Sequence, residues 1–157
     1  MSEKQETALK TVKNYVWWSM GAGLVPVPIL DLVAVSGVQL KMLSVISKTY
    51  DIPFQESRVK AVIGSLLGFI VPETLACGVG SALKAIPGLG TVAGVSTMVL
   101  FSGAATWALG KVFIQHFESG GTFLDFDPDS VKEYFQAQFK EGQKLAETVP
   151  AEEKVEA

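Results

Sequence analysis

Apolar residues recur along this chain at three- and four-residue spacing, and strict alternation is never sustained, so the pattern predicts helices and no sheet. The first predicted helix covers residues 7–22, polar at its start and ending in Tyr15, Trp17 and Trp18. Gly21 and Gly23 close it, and Pro26 and Pro28 hold the chain extended before a second helix over 29–48. Asp51 and Pro53 mark a turn, and a third helix follows over 56–71. Pro72 breaks it, with Glu73 and Thr74 placed to open a short helix to Leu83. A long apolar helix is expected over 89–117, then a loop, and a last amphipathic helix over 128–146. Within that last helix Val131, Tyr134, Phe135 and Phe139 form an apolar stripe suited to docking on the rest of the fold. The expected architecture is all-α: a compact helical domain with a long central apolar helix. Residues 1–118 form the main domain, 119–147 a loop and helix packed on it, and 148–157 a disordered acidic tail.

The distribution of charge adds a membrane to this picture. Between Lys84 and Lys111 stand 26 residues without a formal charge, more than the ~20 needed to cross a hydrocarbon core. The window between Lys60 and Lys84 is also long, but Glu73 falls near its middle, where a charge costs about 3 kcal/mol. Together the windows predict a membrane-inserting helical hairpin over 61–114 with Lys84 at its tip. Glu73 beside Pro72 favours a shallow form that keeps the carboxylate near water. Each window carries Gly-x-x-x-Gly, Gly64/Gly68 and Gly90/Gly94, a spacing that lets helix backbones approach closely. Trp17, Trp18 and Trp107 lie near the ends of apolar runs, where indoles prefer the headgroup level. The bland alternative is a soluble bundle that buries one wholly apolar helix. A weak internal repeat accompanies the windows: Gly21-x-x-Leu24 before Val27-Pro28 matches Gly80-x-x-Leu83 before Ile86-Pro87.

Within the second helix, Asp31 projects onto the face shared by Val35, Val38, Met42, Val45 and Ile46, and Gln39 lies at its edge. Three readings of Asp31 stand side by side. It is a first-turn carboxylate stabilised by the helix dipole; with Gln39 it is a polar fixing that holds a neighbouring helix in register; or it belongs to an ion or proton pathway.

Composition excludes more than it assigns. A net charge of −3 argues against nucleic acid as a partner. One cysteine, Cys77, leaves no disulfide framework, and one histidine, His116, leaves no histidine-based metal site or triad with a nucleophile signature. Asp125, Asp127 and Asp129 alternate like the start of a calcium loop, but Ser130 and Gln136 stand where Gly and a bidentate Glu are needed. Asp127 instead reads as the cap of the last helix, with Pro128 in its first position. No phosphate-cradling Gly-rich loop occurs, and the amino-terminal segment lacks the pattern of a secretory signal. No catalytic residue, cofactor or metal is expected.

The segments GAGLVPVPILDLVAVSGVQLKML and SRVKAVIGSLLG resemble the bacterial YcjF-type domain-of-unknown-function family, whose members often accompany a GTPase domain. Pro28, Asp31, Gln39, Leu40, Met42, Arg58, Lys60 and Gly64 carry the likeness over roughly residues 7–118. The resemblance implies a helical domain at the bacterial inner membrane, spanning it or peripheral on its cytoplasmic face. This chain carries no GTPase domain, so the implied partner is a GTPase acting in trans. The expected function is therefore non-enzymatic: anchoring or adapting a cytoplasmic partner at a membrane. The alternative is a soluble helical scaffold whose apolar windows form its core and a homo-oligomer interface.

Overall fold

The computed structural model describes residues 2–22, 28–70 and 93–147, of which the side chains of 21–22, 28–36, 93–100 and 147 are left aside. Among the described residues there are five α-helices: α1 (Glu3–Ala22), α2 (Pro28–Thr49), α3 (Glu56–Gly68), α4 (Ala93–Glu118) and α5 (Lys132–Glu147). A single 3-10 turn, Asp129–Val131, leads into α5. No strand occurs among the described residues.

The helices α1, α2 and α5 surround α4, and their directions follow from what touches what. Ser2 reaches Glu118, Val12 meets Gly110 and Met20 meets Gly103, so α1 runs antiparallel to α4. Gln39 meets Thr106 and Tyr50 meets Phe117, so α2 runs parallel to it. Phe126, before α5, stacks on Phe113, while Gly142 lies on Ala104, so α5 is antiparallel again. One end of the bundle, the loop end, thus gathers Ser2, Tyr50, Glu118 and the loop 119–131. The far end receives the last turns of α1 and α5 and the first turns of α2 and α4.

Small residues decide how closely the helices approach. On α1, Ala8, Val12, Val16, Ser19 and Met20 form the inward stripe. Val12 and Met20 press against Gly110 and Gly103 of α4, seven residues apart and therefore two turns along one face. A Cβ at Gly142 of α5 would stand 2.9 Å from the Cα and carbonyl oxygen of Ala104. Aromatic rings fill the loop end instead: Phe113, Phe117, Phe123 and Phe126 make a contiguous cluster that Tyr50 and Phe54 extend.

The two long helices close at the loop end by the same device. Gly120 (φ 87°) follows α4, its N–H bonding Phe117 O while that of Gly121 bonds His116 O. Asp51 (φ 58°) follows α2, with its N–H on Lys48 O and that of Ile52 on Ser47 O. Both are Schellman closures, which satisfy carbonyls that a helix end leaves free.

Several boundaries differ from expectation. α1 starts at Glu3, a full turn before residue 7, and its outer charges, paired as Glu6–Lys10 at 3.2 Å, suit a solvated helix. α3 ends at Gly68, where Phe69 and Ile70 form a turn. α4 runs over Ala93–Glu118, its end within one residue of the expected 117, while 89–92 lie outside the described residues. The short helix over 72–83, the tip at Lys84, Cys77, the second arm of the repeat and the acidic tail lie outside the described residues.

The structure does not confirm the membrane-inserting hairpin expected over 61–114. Among the described residues no helix is long and apolar enough to cross a membrane. Of the 61–114 stretch, Val62, Ile63 and Leu66 on α3, and Ala104, Ala105, Ala108, Leu109, Val112 and Phe113 on α4, are buried in the protein core. Those apolar positions therefore satisfy the bundle itself, while 71–92 falls outside the described residues.

Candidate functional site

Three features carry the polar chemistry and the unusual exposure of the fold. The first is a buried polar seam through the middle of the bundle. Gln39, 1% exposed, donates from Nε2 to Thr106 Oγ1 across α2 and α4 at 3.3 Å. One turn away, on the α1 side, Ser19 donates to Val16 O at 2.8 Å and also lies 3.3 Å from Ser102 O. Gln39 Oε1, Ser102 Oγ and Trp107 Nε1 are buried without a hydrogen-bond partner. A buried polar atom left unpaired is costly, so this seam is not an optimised core.

The second feature is the loop end. Arg58 of α3 donates from Nε to Phe123 O at 2.7 Å and from a terminal nitrogen to Leu124 O at 2.6 Å, clamping the aromatic loop by its backbone. His116 Nε2 lies 2.8 Å from Thr122 O and 3.1 Å from Asp125 Oδ1. Both neighbours are acceptors, so this nitrogen carries the proton. The ring packs against Gly121, where a Cβ would overlap it. The Thr122 N–H on Asp125, followed by His116, holds the Asp125 carboxyl below its ordinary range. Glu118 is likewise lowered, because Tyr50 and Ser2 both donate hydroxyls to its Oε1 at 2.7 Å. The Tyr50 hydroxyl is pushed up by burial and then by Glu118.

The third feature is the outer face of α1 at the far end. Trp18 is 70% and Trp17 39% exposed, which for indoles in a folded chain is unusual. Past them α4 continues ten residues beyond Gly103, roughly 15 Å, whereas α1 continues only two residues beyond Met20, roughly 3 Å. The first turns of α4 therefore overhang the end of α1 by roughly 12 Å. The same reckoning from Gln39 opposite Thr106 gives α2 an overhang of roughly 9 Å. These overhanging segments, AGVSTMVLF and PILDLV, contain one formal charge, Asp31.

The residues singled out from sequence distribute unevenly over these features. Gln39 lies in the polar seam. Asp31 stands in the first turn of α2, where the backbone N–H groups are free, and its side chain lies outside the described residues. Gly64 and Gly68 are exposed on α3, and a Cβ at either would meet nothing within 4 Å. Gly94 opens α4, whereas Gly90 and Glu73 lie outside the described residues. Asp127 accepts the Asp129 N–H at 3.1 Å and so starts the 3-10 turn. Among the described residues no group of three or more His, Cys, Asp or Glu could hold a metal ion. Sequence reasoning missed Gly103, Gly110 and Gly142, although the seven-residue spacing of the first pair was visible.

The family match covers residues 1–144 and is described as a domain of unknown function, DUF697. The chain belongs to the DUF697 family. Within reach of this DUF697 chain is the Magnetosome membrane protein 22 of Magnetospirillum gryphiswaldense, 37% identical over 147 residues, which cover 93% of this chain and 75% of that protein. No solved structure matches the chain.

Proposed function

We propose that this DUF697 chain is a non-enzymatic helical module that associates with a membrane through its far end and holds a cytoplasmic partner there. The observation that carries the reading is the division of the bundle into two unlike ends. One is closed by capping motifs, charged hydrogen bonds and packed rings. The other sends out two helix starts with a single formal charge between them, beside two exposed indoles. The relative named for the magnetosome membrane supports a membrane setting. The membrane would be the bacterial inner membrane, approached from its cytoplasmic face, and the YcjF-type resemblance supports a GTPase as the partner.

A second reading keeps the chain off the membrane as a scaffold that self-associates through the same end. It is favoured by the burial of the 104–114 apolar positions in the core of the single chain. Fractionation of the expressed protein separates the two. Retention in the membrane pellet through high-salt and alkaline carbonate washes is the expected result. A protein that remains in the supernatant without detergent and sediments as a discrete oligomer would establish the scaffold instead. The partner is tested by capture on the full chain of purified GTPases from the same cell, with and without bound GTP.

A further inference from the structure

The outward arc of α1 carries, in order from the loop end, Lys10, Lys13, Asn14, Trp17 and Trp18, all exposed. Opposite it lies the buried stripe Ala8, Val12, Val16, Ser19 and Met20, so the helix is docked by one side only. Lys10 pairs with Glu6 at 3.2 Å, and Lys13 makes no hydrogen bond or ion pair among the described residues. No acidic residue follows Glu6 on α1, and no formal charge of either sign follows Lys13 until Asp31. Cations, then indoles, then uncharged chain is the order in which a bilayer changes from phosphate to carbonyl to hydrocarbon.

We infer that this face of α1 is a bilayer-interface surface that sets the depth of a one-leaflet insertion: Lys10 and Lys13 meet lipid phosphates and Trp17 and Trp18 stop at the headgroup boundary. The inference rests on the membrane reading above and adds the contacting residues, the headgroup charge and the depth. Depth follows from the helix lengths. From the level of Trp18, the starts of α4 and α2 reach roughly 15–18 Å further. A hydrocarbon core is ~30 Å thick, and the headgroup layer in front of it takes up several ångströms more. The described starts of these helices, at Pro28 and Ala93, therefore lie inside the first leaflet. Asp31 falls in the opening turn of α2, the position at which a helix best tolerates a carboxylate. Lysines near an anionic surface contribute about 1 kcal/mol each, a roughly fivefold change in partitioning.

The test uses the full chain with vesicles of phosphatidylglycerol and phosphatidylcholine, and with phosphatidylcholine alone. A Trp107→Phe variant, checked for native helicity, leaves Trp17 and Trp18 as the sole indoles. Their emission should shift to the blue on binding. Lipids brominated near the ester end should quench it more than lipids brominated near the chain end. Lys10→Gln with Lys13→Gln should lower partitioning into the anionic vesicles roughly 25-fold and leave it unchanged on phosphatidylcholine. Should Trp107→Phe unfold the protein, Trp18→Phe in the unaltered background should remove most of the quenchable emission. Co-flotation with vesicles but no quenching at any depth would overturn the assignment of this face while leaving the membrane reading intact. Stronger quenching from the chain ends would refute the depth stop. Failure to float with either vesicle would remove both.

Discussion

Replacing Gly142 by alanine sets two helix effects against each other, and the structure says which wins. In an open helix the change stabilises by about 1 kcal/mol, because glycine loses more backbone freedom on folding. At Gly142 the new methyl would sit 2.9 Å from the Cα and carbonyl oxygen of Ala104 and 3.0 Å from Trp107 Cβ. Carbon atoms rest at about 3.5–4.0 Å, so α5 has to retreat from α4 by about 0.5–1 Å. The obstacle is backbone, which cannot rotate away. Retreat loosens the contacts of Phe135, Phe139 and Ala146, all buried between these helices. Overpacking of this kind costs about 1–3 kcal/mol. The net expectation for Gly142→Ala is a loss of up to about 2 kcal/mol, read as a fall in Tm of up to about 8 °C. Gly64→Ala is the matched control, since nothing lies within 4 Å of its added methyl on an exposed part of α3. It should gain up to about 1 kcal/mol. Urea titration followed by far-UV circular dichroism measures both. Equal signs for the two variants would refute the claim that α4 and α5 approach through Gly142.

Arg58→Ala should cost about 1–3 kcal/mol, because two hydrogen bonds from a charged donor to Phe123 and Leu124 are lost. Amide exchange in the 119–127 loop should quicken, and unchanged protection there would show that the clamp is idle. Tyr50→Phe should raise the Glu118 carboxyl toward the ordinary carboxylate range, as seen by NMR titration. Because that carboxyl is depressed in the folded chain, its contribution is present above the unfolded value near pH 4 and is lost as pH falls through the folded value. The variant should therefore show weaker acid dependence of stability. In the polar seam, Gln39→Leu alone leaves Thr106 without its partner, while Gln39→Leu with Thr106→Val removes both ends of the bond. The double variant should be at least as stable as the parent and more stable than the Gln39 single variant by about 1 kcal/mol or more in chemical denaturation.

The helices were legible where the sequence punctuates them. Pro28 opening α2, Asp51 after Thr49, Pro53 before Glu56, and Ser119-Gly120-Gly121 after α4 all carry a local physical reason to start or stop a helix. The polar start of α1 was cut a turn short because its signal is surface charge pairing rather than apolar spacing. The long apolar window is harder to read. Its charge-free length resembles a membrane span, yet its second half is apolar because α1 and α5 cover it. Burial by protein and burial by lipid select the same residues, and hydropathy alone does not distinguish them. The clamp by Arg58 was invisible for another reason. Its acceptors are backbone carbonyls, which every residue possesses, so no side-chain pattern announces it. His116 was set aside as a catalytic candidate on sequence, and its structural place as a loop fixing depends on Gly121, whose missing methyl makes room for the ring.

The seam at Gln39 and Thr106 makes physical sense in a bundle whose central helix is built from small residues. Around its middle α4 reads Ser102, Gly103, Ala104, Ala105, Thr106, Trp107, Ala108, Leu109 and Gly110, a surface with little relief. Smooth helix faces slide and rotate at low cost, since methyl against methyl contacts are nearly equivalent from one turn to the next. A buried hydrogen bond has no such equivalent one turn away. Displacing α2 by a turn would leave the Gln39 amide and the Thr106 hydroxyl both unpaired in the core, at about 1–3 kcal/mol for each group. The seam thus penalises slippage more than it adds to stability, and its unpaired Gln39 Oε1 is consistent with that balance. Register matters here because the overhang of α2 and α4 past α1 is set by it. A one-turn slip would move a helix start by about 5 Å, a large fraction of the roughly 9–12 Å by which these helices extend toward the proposed membrane surface.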